Sequence, residues 1–95
     1  MPKAYWIARV TVSDPDQYKL YAESAPEAFK KYKAQILARG GRYNQLEGDG
    51  RPRNVVIEFP SYDDAVACYN SLEYQSAKAK RKGAGTAEIV IVEGV

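Results

Sequence analysis

Arg53-Asn54-Val55-Val56-Ile57-Glu58-Phe59-Pro60-Ser61-Tyr62-Asp63-Asp64 is the stretch on which the fold turns. Its first part is an apolar run broken by one carboxylate, Glu58, and so reads as a strand covered on both faces. Pro60 ends the run. Ser61, with Asp63 and Asp64 behind it, reads as a capped helix start. The chain predicts only two long helical regions, and in the order found here both fall on one side of a sheet. The second cover must come from elsewhere, most simply a second copy of the chain.

Working outward, residues 4–12 (AYWIARVTV) are rich in β-branched and aromatic side chains and predict the first strand. Pro15 and Asp16 suit a helix start. Tyr18, Tyr21, Ala25, Ala28, Phe29, Tyr32 and Ile36 recur every three or four residues, which predicts one helical region over residues 15–39. Pro26, with Ser24 and Glu27 around it in a capping-box pattern, predicts a kink or restart. Gly40-Gly41 end the helix, and residues 42–47 predict a weak second strand. A turn cluster over residues 48–52 leads into the third strand. The second helix runs from Ser61 through Ala65, Val66, Cys68, Tyr69 and Leu72, bends near Asn70-Ser71 and stops at Gly83 and Gly85. Residues 86–92 (TAEIVIV) form the last strand.

The order is β-α-β-β-α-β, the split βαβ or ferredoxin-like arrangement. It predicts an α+β fold, with a four-stranded antiparallel sheet and both helices on one face. With 95 residues, the chain is read as a single domain over 1–95.

Side-chain alternation sets Trp6 and Val10 with Ile57 and Phe59 on the helix side. Tyr5, Ile7, Arg9, Val56 and Glu58 then share the helix-free face. Four strands of roughly six residues, ~4.8 Å apart, give that face about 400 Å². This is as large an apolar patch as a monomer ordinarily leaves bare. The expectation is therefore a homodimer that pairs sheet to sheet.

Composition narrows the chemistry. A net charge of +2 gives no reason to expect nucleic acid or an anionic membrane as partner. No apolar stretch approaches ~18 residues, so no membrane span is expected. The single cysteine, Cys68, cannot form an internal disulfide, and the protein is read as cytoplasmic. Histidine is absent, which excludes histidine bases, histidine-dependent triads and histidine metal sites. No metal and no cofactor is expected. Proton transfer near neutral pH would need a displaced Glu, Asp, Lys or Tyr pKa.

Ala4-Tyr5-Trp6-Ile7-Ala8, Asp14-Pro15, Ala38-Arg39-Gly40-Gly41-Arg42, the run from Arg51 to Ser61, and Ile91-Val92-Glu93-Gly94-Val95 together resemble the domain of unknown function 1330 family. The resemblance covers nearly the whole chain in order. It implies a ferredoxin-like fold within the dimeric α+β barrel group and no established activity. That group includes cofactor-free monooxygenases, haem-degrading enzymes and small-molecule binders. Haem-dependent branches need an axial ligand, usually histidine, which this chain lacks.

Arg9 and Glu58 are the first candidate ligand-binding residues. If the first and third strands are neighbours in matching register, the two lie within a diagonal step. Arg9 could then hold an anionic group while Glu58 serves as acid or base. The same pair could instead be a structural ion pair that fixes register. Tyr5 and Tyr43 add phenol hydroxyls, suited to a ligand pocket or to a dimer interface. Arg39, Arg42, Arg51 and Arg53 gather at two glycine-containing turns where an anion could be held, although their spacing matches no phosphate-binding motif. Cys68 reads as a buried structural thiol, and the basic run at residues 78–82 as a solvated helix end.

Three functions compete. The first is a homodimeric small-molecule binder or cofactor-free enzyme, with a pocket at the sheet taking a small anionic or polar metabolite. The second is a non-catalytic self-association module. The third is an RRM-like nucleic-acid binder, which the acidic Glu58 and the missing strand aromatics argue against. The residues leave open whether the protein is an enzyme.

Overall fold

The computed structural model describes residues 2–95. In chain order the elements are β1 (Ala4–Val12), α1 (Pro15–Lys31), β2 (Gln35–Arg39), β3 (Arg53–Phe59), α2 (Tyr62–Asn70), α3 (Leu72–Lys80) and β4 (Gly85–Glu93). The four strands form one antiparallel sheet in the order β2-β3-β1-β4. Each β-α-β unit is thus split by a strand of the other unit, as the ferredoxin-like reading requires.

Register follows the alternation read from the sequence. Trp6 stands opposite Ile57 and Ile91, and Ile7 opposite Val56 and Val90. Ala4, Trp6, Ala8, Val10, Ile57 and Phe59 are buried on the helix side. Trp6 is the hub: its ring lies 4.8 Å from Tyr74, 5.4 Å from Phe29 and 5.6 Å from Tyr69, and stacks on Phe59 at 6.0 Å. Such aromatic contacts add to the burial term that holds the helices on the sheet.

Several boundaries differ from the sequence expectation. α1 ends at Lys31 rather than near residue 39. Lys33 takes φ 59, and the chain reverses into β2. Ile36, which continued the helical stripe, lies on β2 opposite Ile57. Good helix formers there yield to edge pairing with β3, an override of propensity by tertiary contact. Residues 42–47 are not a strand. They belong to an exposed irregular connection over residues 40–52.

Pro26 does not restart α1, which runs through it, and Ser24 Oγ donates to Leu20 O at 2.8 Å instead of capping. The bend expected near Asn70-Ser71 is a full break. Ser71 Oγ donates to Cys68 O at 2.6 Å and accepts from Tyr74 N at 3.1 Å, so one residue ends α2 and caps α3. The break also rotates the stripe, leaving Leu72 80% exposed while Tyr74 and Ala77 are buried.

Candidate functional site

The expected diagonal between Arg9 and Glu58 is not formed. Glu58 stands opposite Tyr5, whereas Arg9 stands opposite Asn54 on β3 and Glu88 on β4. Four residues along a strand separate Tyr5 from Arg9, roughly 13 Å at the usual rise. Glu58 is instead paired with Lys3 at 3.3 Å. Arg9 is exposed beside Ile7, Glu88 and Val90 in a shallow hollow of the helix-free face. Glu88 is already held by Arg51 Nε at 2.6 Å, and Arg51 Nη1 also donates to Thr11 Oγ1 at 3.0 Å. Tyr5 is half-buried on the same face. Tyr43 lies off the sheet, 54% exposed in the connection over residues 40–52.

The more enclosed site is on the other side of the sheet. A cavity of about 60 Å³ lies between α1 and the sheet. At a water's ~30 Å³ share of liquid volume it holds about two waters, so a larger ligand would also have to occupy its open mouth. Its floor is Trp6 and Ile57, and α1 supplies Tyr18, Tyr21 and Phe29 opposite. Ile36 and Arg39, both exposed on edge strand β2, mark its mouth. Three arginines reach it, Arg39, Arg53 and Arg81, and no Asp or Glu lines it among the described residues.

Arg53 is placed there by strand period. Positions 53, 55, 57 and 59 share the helix-facing side of β3, so this arginine continues the row of Val55, Ile57 and Phe59. Its guanidinium carbon lies 5.5 Å from the Tyr18 ring centroid, within cation–π reach. Its Nε is buried and has no hydrogen-bond partner among the described residues.

At the inner end, the hydroxyls of Tyr21 and Tyr74 are hydrogen-bonded at 2.9 Å. Arg81 sits 5.1 Å from the Tyr21 ring centroid, and its Nη2 reaches Tyr74 Oη at 3.5 Å. Burial first, then the neighbouring Tyr74, raises the Tyr21 pKa well above the ordinary phenol value, so this hydroxyl keeps its proton at neutral pH. Burial opposes the Arg81 charge, but its hydrogen bond to Tyr74 and its electrostatic interaction with the Tyr74 and Tyr21 hydroxyls outweigh it, and the net shift is upward. Cys68, against Ala28 O at 3.8 Å, is a buried thiol pushed up to about 12 by burial and then by the charge of Glu73. It is therefore no thiolate nucleophile at neutral pH.

Sequence reasoning took Tyr18 and Tyr21 as core, and Arg81 as part of a solvated helix end. It grouped Arg39 and Arg53 with a turn. One signal was available: an arginine two residues before Val55, in register with the core side of the strand.

The family described as Domain of unknown function (DUF1330) matches residues 3–95. The chain belongs to the DUF1330 family. Among solved structures, this DUF1330 chain is similar to a protein of unknown function from Rhodopseudomonas palustris. That match has 14% identity and a TM-score of 0.76, over 99% of this chain and 83% of the other. SnoaB, a cofactor-independent oxygenase from Streptomyces nogalater, matches at 13% identity with a TM-score of 0.65, over 96% and 91% of the two chains. A dimeric protein of unknown function and ferredoxin-like fold from Bacteroides fragilis matches at 17% identity with a TM-score of 0.57, over 96% and 95%. No curated protein matches. At these identities the likenesses establish the fold of the DUF1330 chain and nothing finer. Among the described residues no helix is long and apolar enough to cross a membrane.

Proposed function

We propose that this protein is a homodimeric small-molecule-binding protein whose two copies pair by their helix-free sheet faces. Each copy takes one small, largely apolar ligand between α1 and the sheet. The observation that carries the reading is the cavity over Trp6: apolar and aromatic walls, a few convergent polar groups, and a mouth at an exposed strand edge. The pairing is supported by Ile7 and Val56 beside Val90 and Val92, which are 55% and 45% exposed on a side no helix covers. The Bacteroides fragilis neighbour of the same fold is dimeric, which supports a dimer here. In this reading Arg9, Glu58 and Tyr5 belong to the dimer face. Arg9 and Glu88 set how the copies meet, and catalysis is not assigned to them. SnoaB contributes a shared scaffold to the reading, and its activity is not carried over.

The test uses the single tryptophan, Trp6, as reporter. Titration with benzyl alcohol, excited at the red edge of the indole band, is expected to change Trp6 emission saturably. A linear response, the same as that of the urea-unfolded chain, would refute the cavity as a binding site.

A further inference from the structure

We propose that the cavity's ligand carries a carboxylate on a small flat apolar body, and that Arg53 anchors that carboxylate. The inference rests on the cavity being a binding site, and it specifies what the site takes. Three guanidiniums line a mostly apolar recess, and no acid does among the described residues. The ion pairs seen among those residues are Lys3–Glu58, Lys31–Glu73 and Arg51–Glu88, so Arg39, Arg53 and Arg81 have no carboxylate partner there. A recess with low-dielectric walls and one sign of charge concentrates the opposite ion.

Arg53 is the member built for the contact. Its guanidinium carbon lies 5.5 Å from the Tyr18 ring centroid, and its planar fork is of the kind that takes a carboxylate bidentately. Its buried Nε has no acceptor, and a bound carboxylate would supply one. Gly40 lets the tip of Arg53 lie close to the backbone: a Cβ there would be 2.8 Å from Arg53 Nη1, and the φ of +64° suits glycine. Arg81 is already turned to Tyr74 Oη and the Tyr21 ring. Arg39, exposed at the mouth, adds long-range attraction. A flat ligand body fits walls made by Trp6, Tyr18, Tyr21 and Phe29.

Benzoate and benzamide differ in charge and hardly in shape, so calorimetric or Trp6-monitored titration of both isolates the anion contribution. Wild-type protein is expected to bind benzoate at least about tenfold more tightly than benzamide, the worth of one charge-assisted contact. That margin should shrink with added salt. In Arg53→Met the margin should vanish while benzamide affinity persists. Equal binding of the two by wild-type protein, or a margin unchanged in Arg53→Met, overturns the proposal and leaves the cavity reading standing. Failure of benzoate, benzamide and benzyl alcohol alike overturns both. Should Arg53→Met not fold, Arg53→Lys, which keeps the charge and loses the bidentate fork, decides: the margin is expected to fall, and an unchanged margin overturns the proposal.

Discussion

Gly40 and Arg53 show how single residues shape the site. Gly40 N donates to Asn54 O at 2.9 Å, closing the β2–β3 pair where the chain must take φ +64°. An alanine there strains the backbone by about 1–2 kcal/mol and crowds the flexible tip of Arg53. Gly40→Ala is therefore expected to lower stability by that amount in urea denaturation and to weaken benzoate binding in the same protein. Tyr21 makes a second prediction. Its folded pKa is raised above the unfolded value of 10.0. The protonated phenol's contribution is thus complete below about pH 10 and is lost as pH climbs from there toward the folded value. Wild-type stability is expected to fall above pH 10 in alkaline denaturation, and Tyr21→Phe should flatten that slope. An identical slope in the variant would show that another group is responsible.

At the scale of elements, Ser71 joins two helices that sequence periodicity joined into one. Its side chain serves the end of α2 and the start of α3 at once. Ser71→Ala is expected to cost about 1–2 kcal/mol by thermal or chemical denaturation, the upper range for a single cap. A loss no larger than that of an exposed Ser→Ala control such as Ser76→Ala would contradict the double role. The elements were unequally legible. β1, β3 and β4 were found within a residue or two, because alternation and β-branched content persist over seven to nine residues. β2 was placed too late. Ala34-Gln35-Ile36-Leu37-Ala38 has no strand-like composition, and Ile36 happens to continue the period of α1. Lys33 makes the reversal in a left-handed conformation without a glycine to announce it. The 13 residues of the connection, 40–52, then looked long enough to hold a strand of their own.

For the whole molecule, the Cα extents are 37 × 33 × 17 Å, those of a two-layer slab with helices on one side. The bare sheet plane, about 400 Å² per copy, gives two facing sheets roughly 800 Å² in total, so a stable dimer at ~1,200 Å² needs contacts beyond the flat sheet faces. Light scattering is expected to report twice the 10.6 kDa chain mass, and Ile7→Glu, at the centre of that face, to return the monomer. A wild-type monomer at millimolar concentration would refute the pairing.

The amino-acid sequence alone determined the element order, the sidedness of two strands, the family and the want of histidine. All of these follow from local pattern and composition, which need no knowledge of distant contacts. Only the tertiary structure decided where the candidate site lies. Strand register moved Glu58 two alternations along from Arg9 and matched it with Lys3. The packing of the helices over the sheet gathered Tyr18, Tyr21, Arg39, Arg53 and Arg81 from four distant stretches. Such a meeting depends on how separate elements stack, and no local period encodes it.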